Sequence, residues 1–350
     1  MPNLNDLTNE VTNIKNDVIT CHNNLKNKLI DKGIEVSNEK LSGLIDKVDE
    51  IKGEDPIQSG YLLCKNLPSK IAYHSTSVVD NKIYVMGGND GSSSNLKTNY
   101  CYNPSTNTWT TKANLSTNLA GHSASVVDGK IYVIGGYNGS SYYKTNYCYN
   151  PSTNTWTTKA NAPGNVAFHS ASVVDNIIYV IGGRSGSSTS YLKTRYCYTP
   201  STDTWTTKTI LSTNLAYHSA SVVDGKIYII SGRSASSSYV KTNYCYDPAT
   251  DTISNKNGLS TNLYAHSASV VDNKIYVMGG HNGSSFVKTN YCYDPSVDTW
   301  ITKNDLPSKI AYHSTSVVDN KIYVMGGNDD ISFGLDINYC YFINDIREVL

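Results

Sequence analysis

Short apolar stretches alternate with polar ones along most of the chain, and the alternation has period two. His122-Ser-Ala-Ser-Val-Val-Asp128 reads as one half-buried strand, and Lys130 to Gly136, rich in Ile, Tyr and Val, as a second. Asp128-Gly129 between them accepts the positive φ of a tight hairpin turn. A loop rich in Ser, Gly and Asn follows, then a third strand centred on Tyr147-Cys148-Tyr149. Period-two geometry puts both Tyr on one face and the Cys on the other. Asn150-Pro151-Ser152-Thr153-Asn154 makes the next turn, and Trp156 opens a fourth strand that runs to Asn161.

The four-strand pattern recurs. His-Ser-(Ala/Thr)-Ser-Val-Val-Asp starts at His74, His122, His169, His218, His266 and His313, so the period is about 48 residues. Leu67–Asp90 is repeated without change as Leu306–Asp329. The last unit has its first three strands, ending at Tyr339-Cys340-Tyr341, but no Trp opens a fourth. Tyr61 to Leu67 aligns with Trp300 to Leu306. The N-terminal strand 61–67 is therefore expected to complete the sixth unit and close a ring.

A Gly-Gly doublet ending the second strand, a Tyr in the third and a Trp opening the fourth resemble the kelch pattern. The doublets are Gly87-Gly88, Gly135-Gly136, Gly182-Gly183, Gly279-Gly280 and Gly326-Gly327; the Trp residues are Trp109, Trp156, Trp205 and Trp300. The resemblance implies an all-β fold over residues 60–345, a six-bladed kelch-type β-propeller. Ser231-Gly232 and Ile253 break the pattern in the fourth unit, which predicts a looser fourth blade.

The first 55 residues follow another rule. Leu4, Leu7, Val11, Ile14, Val18, Cys21 and Leu25 step by three and four, the seam of a coiled coil. Residues 1–55 are expected to be an α-helical oligomerisation segment, with 3–31 as a parallel coiled coil making a homo-oligomer. A second helix is capped by Ser37, and Gly53-Glu54-Asp55-Pro56 reads as a linker. Leu25 to Ile51 resembles an element of tail proteins from phages of Gram-positive hosts.

Composition narrows the function classes. Net charge is zero, charged residues make up 17%, and there are four Arg, so a basic nucleic-acid binder is not expected. No apolar run approaches the roughly 20 residues that span a bilayer, so no membrane insertion is expected. The N-terminus lacks a signal-peptide pattern, which leads to synthesis in the cytoplasm and a place on a virion tail, or otherwise in the cytoplasm. Six cysteines recur once per unit, one blade apart, so disulfides are not expected.

The six repeated His begin the innermost strands. Recurrence in every unit points to a blade-to-blade hydrogen bond, because catalysis and ligand binding need an asymmetric constellation. No metal, cofactor or catalytic residue is expected. The informative positions are those that differ between units on one face. After the doublets stand Asn89, Tyr137, Arg184, Arg233, His281 and Asn328. Before the His stand Tyr73, Gly121, Phe168, Tyr217, Ala265 (preceded by Tyr264) and Tyr312. Tyr, Ser, Asn and sparse Arg suit adaptable recognition, and Arg184 and Arg233 on adjacent blades could grip an anion. No carboxylate pair is expected on that face. The reading is a non-enzymatic module that binds a surface glycan or a protein. The alternatives are a kelch-type carbohydrate-active enzyme (oxidase or sugar epimerase) and an intracellular protein-interaction propeller.

Overall fold

The protein is represented by a computed structural model that describes residues 57–58 and 60–343, apart from 93–94, 187–189, 210 and 236–237. The helical and coiled-coil expectations for residues 1–55, and the tail-protein resemblance, lie outside the described residues. No helix among the described residues is long and apolar enough to cross a membrane.

Six antiparallel sheets are arranged as the blades of a propeller. In the second blade the strands are Ser123–Val127, Lys130–Ile134, Asn146–Asn150 and Thr155–Lys159. The sixth blade is built from Ser314–Val318, Lys321–Met325 and Asn338–Phe342 and is finished by Tyr61–Leu63, with Ile57–Gln58 added outside it. Leu62 faces Cys340 as Ile301 faces Cys292 one blade earlier. Beyond Leu63 the pairing continues through Cys64 N–H to the Asn338 carbonyl and Leu67 N–H to the Asp336 carbonyl. Both ends of the ring are therefore held in one sheet.

The core is six inter-blade layers. Tyr149 packs toward the first blade beside Tyr84, Met86 and Cys101. Cys148, on the opposite face of the same strand, packs toward the third blade beside Val166, Ile178 and Tyr198. The Tyr-Cys-Tyr triplet thus serves two layers at once. The described cysteines are free thiols.

Polar contacts stitch the same junctions at two radii. Near the axis, Ser75 Oγ lies 2.8 Å from His122 Nε2, Ser123 Oγ 2.8 Å from His169 Nε2 and Ser170 Oγ 2.7 Å from His218 Nε2. Ser219 pairs with His266 at 2.9 Å and Ser314 with His74 at 2.6 Å. The sixth pairing is broken: Ser267 Oγ lies 2.6 Å from Thr315 Oγ1 instead. Burial holds these imidazoles far below their ordinary value of 6.5, at about 3 for His74 and about 4 for His122, so they are neutral. At the rim, Trp156 Nε1 donates to the Ala113 carbonyl at 2.8 Å, and Ala113 N–H donates to Asn154 Oδ1 at 2.8 Å.

The fourth blade differs from the others where its sequence does, and its ladder carries register shifts at Ile230/Gly232 and Arg233/Ala235. Ser231 keeps the left-handed conformation of a doublet glycine, with φ 59°. Its hydroxyl donates to the Val240 carbonyl at 2.6 Å and accepts from Leu263 N–H at 3.1 Å, bridging a junction where Leu263 N–H stands 3.4 Å from that carbonyl. The central hairpin, Lys226–Ala235 with Ser238–Asp247, has strands of ten residues where the second blade has five. At the rim, Ile253 has no indole N–H to offer. Arg195 of the third blade, which stands where the other five blades have Asn, reaches Asp251 at 2.7 Å with its guanidinium 4.2 Å from the Tyr246 ring centroid.

Candidate functional site

The residues before the repeated His form a closed ring about the axis. Tyr73, Gly121, Phe168, Tyr217, Ala265 and Tyr312 all have φ between 54° and 62°. Each N–H donates to the carbonyl of the equivalent residue in the neighbouring blade, at 2.7 to 2.9 Å all the way round. Buried backbone groups must be paired, and this ring pairs twelve of them without secondary structure. Positive φ is unfavourable for aromatic residues, so the ring is held by the blades around it. Gly121 has a further reason to lack a side chain: a Cβ there would overlap the Phe168 ring.

The ring turns its aromatic side chains onto one another. Tyr73 stacks on Tyr312 at 4.2 Å and Phe168 on Tyr217 at 4.7 Å, centroid to centroid. Edge contacts at 6.1 Å (Tyr73 with Phe168) and 6.3 Å (Tyr217 with Tyr312) join the two stacks. Phe333 lies against Tyr73 at 5.9 Å. The four aromatic candidates near the axis therefore form an apolar plug whose rings largely face each other. Burial raises the Tyr73 and Tyr312 phenols well above their ordinary value.

A second tier surrounds the plug. Asn89, Tyr137, Arg184, Arg233, His281 and Asn328 each exchange two backbone hydrogen bonds with the residue two places before the repeated His, such as Ala120 with Tyr137 and Ala167 with Arg184. These six positions are structurally equivalent but chemically different. Asn89 and Asn328 are occupied in their own loops: Asn89 Nδ2 donates to Asn95 Oδ1 at 2.7 Å, and Asn328 Oδ1 accepts from Gly334 N–H at 2.8 Å. Tyr137 packs on Tyr142 at 4.9 Å.

The two Arg converge on one tyrosine. Arg184 Nη1 donates to the Tyr217 hydroxyl at 2.9 Å, and the Arg233 guanidinium lies 5.8 Å from the Tyr217 ring centroid. Arg233 also lies 5.2 Å from Tyr239 and 5.1 Å from Tyr264, while Arg184 has Phe168, Tyr142 and Tyr191 within 5.8 Å. Arg233 forms no ion pair among the described residues, and its Nε is buried without a hydrogen-bond partner there. An open cleft of about 650 Å³ beside Arg184 is lined by Tyr137, Tyr142, Asn165 and Ser185 among others. His281 continues the belt, 4.9 Å from Tyr264 and 5.2 Å from Phe286.

The sequence reading missed Tyr142, Tyr191, Tyr239, Phe286 and Phe333. Their signal is one large aromatic five to seven residues after the variable position in each of five loops. One carboxylate comes near the belt from the sixth blade: Asp330, bonded to Lys309 at 2.9 Å, is close enough to His281 to act on its protonation. Burial nevertheless lowers His281 from its ordinary value, with Arg233 acting in the same direction. Among the described residues no three His, Cys, Asp or Glu side chains are grouped to hold a metal ion.

Comparison with known proteins agrees with this architecture. A solved structure titled "Structure of YjhT" superposes with a TM-score of 0.73 over 81% of this chain and 97% of that one, at 15% identity, a likeness of fold alone. No curated protein matches. The KLHDC2/KLHL20/DRC7 Kelch-repeats domain model matches residues 61–215 and 168–346. With six blades closed by the N-terminal strand and that match spanning them, the chain belongs to this family of Kelch-repeat domains.

Proposed function

We propose that the protein is a non-enzymatic recognition module whose variable propeller face binds an anionic group of a surface glycan or of a protein. The observation that carries this reading is Arg233: a guanidinium among three Tyr rings, without an ion pair among the described residues, beside a second guanidinium anchored on Tyr217. A half-buried Arg without an ion pair favours carboxylate, sulfate or phosphate. The aromatic belt and the Ser/Asn loops supply apolar surface and adaptable hydrogen bonds for the remainder of the ligand. Kelch propellers serve generally as interaction modules, which is compatible with either ligand source.

In this reading residues 3–31 multimerise the propeller, and multivalency raises weak single-site binding by about 10²–10⁴ where geometry permits. In this reading the binder is tail-associated or otherwise surface-exposed.

A glycan array and whole-cell binding by the full-length protein test the proposal. Retention on anionic glycans that weakens as salt is raised, with the bound ligand recovered chemically unchanged, is the expected result. Binding indifferent to ligand charge, or recovery of a converted ligand, would overturn it.

A further inference from the structure

The loop of the fifth blade carries Asn282-Gly283 immediately after His281. Gly283 N–H donates to His281 Nδ1 at 2.9 Å. Asn282 Oδ1 accepts two backbone N–H groups, from Ser284 at 2.9 Å and Ser285 at 3.0 Å. Gly283 has φ 102° and no side chain to shield its nitrogen. Each contact matches a requirement of one reaction, attack of a backbone nitrogen on the preceding side-chain amide.

We propose that Asn282-Gly283 is a self-modification site, at which His281 as general base drives conversion of Asn282 to aspartate or isoaspartate. The Gly283 nitrogen attacks Asn282 Cγ while its proton passes to His281 Nδ1. The oxygen that becomes an oxyanion is the one held by the Ser284 and Ser285 N–H groups, the arrangement that stabilises a tetrahedral intermediate. The intermediate collapses with Nδ2 leaving as ammonia, which takes the proton back from His281. Water then opens the five-membered imide at either carbonyl. No oxidant or cofactor enters. His281 Nδ1 is already an acceptor in the ground state, and burial keeps the ring neutral.

The second blade supplies an internal control. Tyr137-Asn138-Gly139-Ser140-Ser141-Tyr142 aligns with His281-Asn282-Gly283-Ser284-Ser285-Phe286. Gly139 has φ 104°, and Asn138 Oδ1 accepts Ser140 and Ser141 N–H at 2.9 and 2.7 Å. The oxyanion contacts are therefore shared and the base is not: the Tyr137 hydroxyl bonds the Gly139 carbonyl instead. Asn138 Nδ2 is also tied to the Tyr143 hydroxyl at 2.8 Å, where the fifth blade has Val287. The product carboxylate would stand beside His281, on the same aromatic belt as Arg233, and oppose an anionic ligand. The chemistry itself does not depend on what that ligand is.

Peptide mapping by mass spectrometry after incubation of the folded full-length protein reads both sites in one sample. Asn282 should convert at least about tenfold faster than Asn138, within the range a positioned base provides. His281→Tyr should remove most of that excess. The Asn282 rate should rise with pH through the His281 titration and then flatten, while the Asn138 rate keeps rising with hydroxide. In urea the two sites should react alike. Equal folded-state rates, an unchanged rate in His281→Tyr, an Asn282 profile that simply follows hydroxide, or an excess that survives urea would each overturn the assignment.

Discussion

Acid should open the propeller abruptly, and the six axial His set the pH. Each is buried and held at about 3 or about 4 against an ordinary 6.5. Folding therefore favours the neutral ring. The stabilisation is fully present above pH 6.5 and is lost as pH falls from there toward the folded-state values. Each His loses about 1.4 kcal/mol per pH unit in that window, so six lose about 8 kcal/mol per unit. From pH 7 to pH 5 the summed loss is about 11 kcal/mol, comparable with the whole stability of about 5–15 kcal/mol typical of a folded domain. Urea unfolding followed by Tyr and Trp fluorescence at closely spaced pH values measures the slope directly. Between pH 6 and pH 5 unfolding should take up close to five protons, with one fewer in His122→Asn, which leaves Ser75 an amide partner. Uptake of fewer than two protons, or resonances of the six axial imidazoles titrating near 6.5 in the folded protein, would refute the reasoning.

Three further outcomes concern the frame. Deleting residues 1–68 should destabilise the propeller relative to deleting 1–57, because buried Tyr61, 4.7 Å from the Tyr341 ring, leaves the sixth blade; a Tyr61→Ala substitution should lose about 3–5 kcal/mol by chemical denaturation. Arg195→Asn should be destabilising alone and be partly rescued by Ile253→Trp, which restores the contact used at the other rims, with a coupling of about 0.5–3 kcal/mol in a double-mutant cycle. The full-length chain should scatter light as an oligomer at micromolar concentration, and a chain lacking residues 1–57 as a monomer.

The fold was legible because each repeat states its four strands in the same register. The Asp-Gly turn and the Tyr-Cys-Tyr alternation are local rules, and the structure obeys them. The resemblance of Tyr61–Leu67 to Trp300–Leu306 has a physical counterpart in the shared cross-strand register. The site was less legible. Tyr73, Phe168, Tyr217 and Tyr312 look in sequence like ring faces offered to a ligand. Only the closed backbone ring, with its positive φ, shows that they turn inward and stack on one another. Gly121 in that series is the one sequence hint. Compensation was likewise hidden: Ile253 reads as a lost contact until Arg195, fifty-eight residues earlier, is seen to reach Asp251 beside it. Long-range replacement of one side chain by another leaves no periodic trace.

The most direct test of the central claim compares substitutions on the two faces. Arg184→Ala with Arg233→Ala removes the charged donors of the variable face. Asp128→Asn with Asp224→Asn removes two charges from the opposite hairpin turns while keeping residues that accept positive φ. Binding of the anionic ligand selected on the array should weaken in the Arg variant by about 1.5–3 kcal/mol per lost charged hydrogen bond, with the propeller still folded by circular dichroism, and stay at the parental level in the Asp variant. Parental binding by the Arg variant, together with loss of binding in the Asp variant, would place the ligand on the other face and contradict the account.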